Sequence, residues 1–124
     1  MARLFLTPGQ TFKWVRSAEV TEIIGTNENE TVYVGEDARA TFDSSFNRGG
    51  DVIYIEGVAA LYAVALDGSN IHITSEAGAS IFIPVGTAGT SVNFADLETT
   101  LRVEGTVVML GAVEVTSAPG PVTA

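Results

Sequence analysis

The chain has 124 residues, enough for one domain with its own core, and at 46% hydrophobic content it is not a disordered chain. Fifteen Asp and Glu stand against six Lys and Arg, and the resulting net charge of −9 repels a phosphate backbone, so no nucleic-acid partner is expected. There is no cysteine, which excludes disulfides, thiolate metal sites and thiol nucleophiles.

At the N-terminus, Leu4-Phe5-Leu6 is an apolar run of three residues. That is short of the roughly 7–15 residues of a signal-peptide core. Beyond it, β-branched and aromatic residues gather in short runs separated by Gly, Asn, Asp and Ser. This pattern predicts strands near 2–6, 11–16, 20–24, 31–35, 39–43, 52–56, 61–66, 71–75, 80–85, 91–95, 100–104 and 106–115. The alanine-rich stretch Val58 to Leu66 predicts one helical turn, and it is too short for a bilayer crossing, which takes about 20 apolar residues. No transmembrane segment is expected.

The clearest hairpin is Tyr62-Ala-Val-Ala-Leu-Asp67-Gly-Ser-Asn70-Ile-His-Ile-Thr, turning at Asp67-Gly68, with Ile71 and Ile73 on one face and His72 on the solvent side. Pro84 lacks an N–H, so the strand 80–85 is expected at a sheet edge, or to end there. The last strands read as a meander, and the tail 117–124, with two prolines, is expected to be flexible. The fold class is therefore all-β. It is a single domain over residues 1–116, sandwich-like or solenoid-like, with a C-terminal meander of short strands. No strict internal repeat is legible.

No constellation of side chains points to catalysis, so the chain is read as a non-enzyme. His72 is the sole histidine, and no nucleophile-elbow pattern accompanies it. Acidic and amide side chains cluster at turns. Calcium takes six to eight oxygens, so Asp43, Asn47 and Asp51 around Gly49-Gly50, and Asp67 and Asn70 in the hairpin turn, are candidate Ca2+ ligands. Trp14, Tyr33, Tyr54 and Tyr62 are candidates for a sugar-stacking platform, against the alternative of ordinary aromatic packing.

Three stretches carry a resemblance. They are Thr41-Phe-Asp-Ser-Ser-Phe-Asn-Arg-Gly-Gly-Asp-Val-Ile53, Asp67-Gly-Ser-Asn-Ile-His-Ile-Thr74, and Ile83-Pro-Val-Gly-Thr-Ala-Gly-Thr-Ser-Val-Asn-Phe-Ala-Asp96. Together they resemble modules of acidic, cysteine-free, type I secreted bacterial exoproteins related to the RTX and S-layer group. The resemblance implies an extracellular β-rich module, often calcium-stabilised, exported without an N-terminal signal peptide. The RTX nonapeptide is a tandem Gly-Gly-x-Gly-x-Asp array, whereas Gly49-Gly-Asp51 occurs here once and truncated.

The expected function is an extracellular structural subunit that self-assembles into a surface layer, filament or matrix by strand addition. The expected partner is another copy of the chain. The apolar segments that would make the contacts are Leu4, Phe5 and Leu6, with Trp14, near the start, and Val107, Val108, Met109 and Leu110 near the end. Two other classes remain open: a carbohydrate- or surface-binding adhesin module, and a phage or virus decoration protein.

Overall fold

A computed structural model describes residues 2–16, 19–48 and 50–122. It contains fourteen strands: β1 Ala2–Phe5, β2 Thr11–Val15, β3 Thr21–Ile24, β4 Thr31–Val34, β5 Arg39–Phe42, β6 Val52–Ile55, β7 Tyr62–Asp67, β8 Asn70–Ser75, β9 Ser80–Pro84, β10 Thr90–Asn93, β11 Glu98–Glu104, β12 Val107–Leu110, β13 Val113–Val115 and β14 Gly120–Pro121. Two short 3-10 turns, Ser44–Asn47 and Ala59–Leu61, complete the elements. No helix among the described residues is long and apolar enough to cross a membrane.

The strands form two sheets of seven. The first runs β1-β3-β5-β9-β8-β7-β14 and the second β2-β4-β6-β10-β11-β12-β13. The chain alternates between them from β1 to β6, and each strand lies parallel to its counterpart one coil earlier. Thr11 faces Thr31 and Thr31 faces Val52, so one coil takes 20 and then 21 residues. This half is a β-solenoid, the second of the two architectures expected from sequence. The hairpin β7–β8 then extends the first sheet, β9 and β10 return to pair in parallel with β5 and β6, and β11 to β13 extend the second sheet as an antiparallel meander.

Period-two alternation puts one side chain in two between the sheets. Ile23, Val32, Val34, Ile53, Ile71, Ile73, Ile81, Ile83 and Val92 are fully buried there. Phe46, in the first 3-10 turn, fills the corner between β5 and β6 and meets the edge of the Phe42 ring at a centroid distance of 4.8 Å. The β-branched content of these positions suits a pleated interior packed on both sides.

Several expectations change. The predicted strand 106–115 breaks at Gly111 (φ +64°) into β12 and β13. The strand carrying Pro84 does end there, but it is central, between β5 and β8, rather than at an edge. The tail expected to be flexible returns to the first sheet: Gly120 and Pro121 pair with Val64 and Ala63, and Val122 is buried. Residues 123–124 lie outside the described residues, as does Gly49 of the expected Gly49-Gly50 turn. Gly50 has φ +85°, and a Cβ there would sit 2.2 Å from Asn29 Oδ1, so that position requires glycine. His72 faces outward as expected but is half-buried, stacked 4.0 Å from the Phe82 ring, with Nε2 2.8 Å from Ser80 Oγ.

Candidate functional site

The two ends of the solenoid differ. At the first end, β1 closes one sheet and β2 the other, and among the described residues no strand pairs with the outer edge of either. The internal bonds identify which groups face out. Ala2 N donates to Val20 O at 3.0 Å and Leu6 N donates to Ile24 O at 2.9 Å, so the alternate residues Arg3 and Phe5 direct their N–H and C=O groups away from β3. Gln10 O accepts from Thr31 N at 3.0 Å, which leaves Thr11 and Lys13 pointing outward from β2. The regular run of β2 stops at a bulge between Lys13 and Val15.

The core is also less covered at this end. Leu6 and Val15 are buried, but Leu4 and Phe12 are only partly so, because no coil lies beneath them. Phe5 is 66% exposed and Trp14 38%, two of the four exposed large hydrophobic residues in the molecule's described part. Of the expected partner-binding residues, Leu4, Phe5, Leu6 and Trp14 therefore share one end.

Val107, Val108, Met109 and Leu110 do not reach a free edge. They form β12, which is paired on both sides, by β11 and β13, and Leu110 is fully buried. The outermost strand there is β13, and in the first sheet it is β14. Thr116 O accepts from Leu66 N at 2.7 Å, so residues 116–121 lie along β7, and Pro119 and Pro121 in that segment carry no N–H.

Charge is as uneven as the edges. Residues 1–18 contain Arg3, Lys13 and Arg16 and no acid, so all fifteen acids lie from residue 19 onward. Arg3 pairs with Glu22 at 3.1 Å. Arg16 grips both oxygens of Glu56 at 2.8 and 3.0 Å and lies over the Trp14 ring at 4.7 Å. Its guanidinium, aided by the Glu36 N–H, holds the Glu56 carboxyl below the usual range. Lys13 Nζ sits 4.7 Å from the Tyr33 ring centre.

Trp14, Tyr33 and Tyr54 do come together, on the outer face of the second sheet. Trp14 meets Tyr33 edge-on at 5.0 Å and Tyr33 stacks on Tyr54 at 4.6 Å. The ladder uses the Tyr33 ring faces on Tyr54, Trp14 and Lys13, leaving that ring no open face for a sugar. Tyr62 is not part of it; it is buried in the core, its hydroxyl donating to Glu56 O, and burial pushes its pKa up to about 12.

The candidate calcium ligands divide between two places, Asp43, Asn47 and Asp51 near the first 3-10 turn and Asp67 and Asn70 at the hairpin tip. Asp43 caps the first 3-10 turn, accepting from Ser45 N at 3.1 Å and from the Ser45 hydroxyl, while Asn47 is exposed on that turn. Asp51 is 2% exposed and accepts from Glu30 N at 2.8 Å; its desolvation, with Glu30 and Asp43 nearby, pushes its pKa up to about 6. Asp67 and Asn70 face each other at the tip of the β7–β8 hairpin, in the other sheet from Asp51. Among the described residues, no three His, Asp or Glu side chains gather as a metal site.

One constellation has no counterpart in the sequence reading. Gln10, Glu30, Asp51 and Thr90 occupy the same corner of successive coils, each just before or at the start of a second-sheet strand. Glu30, fully buried, accepts from Thr26 N and Thr26 Oγ1, both at 2.8 Å, and from Gly9 N of the preceding coil at 3.1 Å. Asp51 accepts from the Glu30 N–H of the coil before it, and Thr90 Oγ1 donates to Phe46 O at 3.0 Å. These side chains satisfy backbone groups that the turns would otherwise bury unpaired. The spacing 10, 30, 51 is the signal that could have revealed them.

No protein-family model matches the chain, and no curated protein or solved structure matches it either.

Proposed function

We propose that this is a non-catalytic structural subunit that assembles with copies of itself by strand addition at the β1/β2 end. The observation that carries the reading is the coincidence, at one end, of two unpaired strand edges and a partly uncovered core. An unpaired edge presents a row of N–H and C=O groups, and a second chain that pairs with it satisfies them while covering the apolar residues. Each feature alone is common; their convergence beside Leu4 and Phe12, the partly uncovered core residues of this end, favours assembly over a solitary monomer. The resemblance to type I secreted surface proteins supports placing the subunit outside the cell, in a layer, filament or matrix.

The adhesin reading rested on the aromatic side chains, and the packing within the Trp14–Tyr33–Tyr54 ladder argues against stacked sugar there.

The test is size-exclusion chromatography with light scattering over a wide concentration range, on the native chain and on Thr11→Pro. Proline at residue 11 removes an N–H that faces outward and spares the internal ladder. The native chain is expected to grow in mass with concentration and Thr11→Pro to stay smaller. A native chain that stays monomeric at every concentration overturns the reading.

A further inference from the structure

We infer that copies join head to tail, β2 of one copy pairing antiparallel with β13 of the next, and that the joint is steered by charge. The inference rests on the assembly proposed above and adds its polarity, its seam and its axial repeat.

Strand count comes first. Both sheets contain seven strands, and both follow the same plan of four parallel strands followed by three that alternate. The two sheets therefore run out at the same level at each end. A copy displaced along the stacking axis brings its β1 onto β14 and its β2 onto β13 in one movement, with neither sheet left a strand short. Strand direction also agrees. β10 runs parallel to β2, and three antiparallel steps lead from it to β13, so β13 runs opposite to β2. The new pair is antiparallel.

The seam lies in the second sheet. The regular part of β2 is Thr11 to Lys13, ended by the bulge, and β13 is Val113 to Val115. Paired residues share a face, so exposed Glu114 comes opposite exposed Lys13, and buried Val115 opposite inward-facing Phe12. In the first sheet, Pro119 and Pro121 deny β1 two donors, so that side contributes contact rather than a full ladder.

Charge sets the polarity. The first eighteen residues hold three cations and no acid, whereas residues 62–124 hold Asp67, Glu76, Asp96, Glu98, Glu104 and Glu114 against Arg102 alone. Glu114 lies on β13 itself, exposed, and Lys13 lies on β2. Arg3 and Arg16 are already paired with Glu22 and Glu56, so the joint is steered by Lys13 on one edge and Glu114 on the other: head-to-head contact opposes lysines, tail-to-tail contact opposes glutamates, and only head-to-tail contact is attractive. Such attraction weakens as the Debye length falls from about 10 Å at 0.1 M salt to about 3 Å at 1 M.

The absence of cysteine makes a direct test simple. Thr11→Cys and Glu114→Cys place single thiols on the outer face, at β2 and at β13. They are cross-linked with a short bismaleimide at a concentration where light scattering shows assembly. Head-to-tail joining predicts that neither single variant cross-links alone, that their mixture gives covalent dimers, and that the double variant gives a ladder of multimers that shrinks with added salt. Electron microscopy of the same sample should show an axial repeat of about 34 Å, seven strands at about 4.8 Å. Covalent dimers from Thr11→Cys alone, or assembly with no covalent product in the mixture, overturn the polarity while the assembly stands. A monomer by light scattering overturns both.

Discussion

The two ends of this solenoid have been built to different rules. The β1/β2 end presents strands of four and five residues, Phe5 and Trp14 exposed, and three cations; the opposite end presents strands of two and three residues, and two prolines guard one of its sheets. Proteins blunt sheet edges with short strands, proline and charge. At the far end the prolines blunt the β14 edge alone and leave β13 open, whereas at the first end neither edge carries a proline. The difference teaches that stability and assembly are handled by different residues: the interior coils hold the fold, and the first coil holds little of it.

That division predicts unequal costs. Phe46→Ala empties a fully buried corner and is expected to lower stability by about 3–5 kcal/mol in urea unfolding. Phe12→Ala, at the partly uncovered end, is expected to cost about 1–2 kcal/mol or less while reducing assembly. Equal costs would break the comparison.

Asp51 sharpens it from the interior side. Burial raises its folded-state pKa from near 4 to about 6, so the folded state holds the proton more tightly than the unfolded one. Stability from this group is gained as pH falls from about 6 toward 4 and is absent at neutral pH, where a buried charge must be carried. Asp51→Asn keeps an oxygen to accept the Glu30 N–H and is expected to raise stability at pH 7.5 and to flatten the profile between pH 4 and 6. Unfolding curves at several pH values check this. An unchanged profile would place the titration elsewhere.

The corner ladder also shows what the sequence made legible. Strand positions were readable because β-branched and aromatic runs alternate with turn residues, and the core face of Ile71 and Ile73 followed from period two. The solenoid was readable only as one of two options. Its repeat lies in Gln10-Thr-Phe, Glu30-Thr-Val-Tyr-Val and Asp51-Val-Ile-Tyr-Ile, where the side chains differ and only the pattern of polar corner, outward, inward, outward recurs. The hairpin inserted before β9 then hides the next coil. At the first end, Leu4 and Trp14 stand out in the sequence as apolar residues near a terminus, but that the strand edges beside them are unpaired shows only in the pairing. The segment Val107 to Leu110 was misjudged, because an apolar strand in mid-sheet and one at an edge read alike without the pairing.

Smaller effects follow. Arg3→Pro and Thr11→Pro replace outward N–H groups and are each expected to change stability by about 1 kcal/mol or less, with the loss confined to assembly. Adding millimolar calcium and then chelator is expected to leave the thermal midpoint in place, because the Asp43 and Asp51 carboxylates already accept backbone N–H donors. A calcium-dependent rise would reopen the acidic turns as a cation site.

The most direct measurement is hydrogen–deuterium exchange over residues 2–16, dilute and concentrated, followed by mass spectrometry. If the first end is the working surface, the amides of Arg3, Phe5, Thr11 and Lys13 exchange fast in dilute solution and slow markedly as the protein assembles, while those of Ala2 and Leu6, already bonded to Val20 and Ile24, change less. Assembly by light scattering with no added protection in this segment would contradict the account and move the interface to another face.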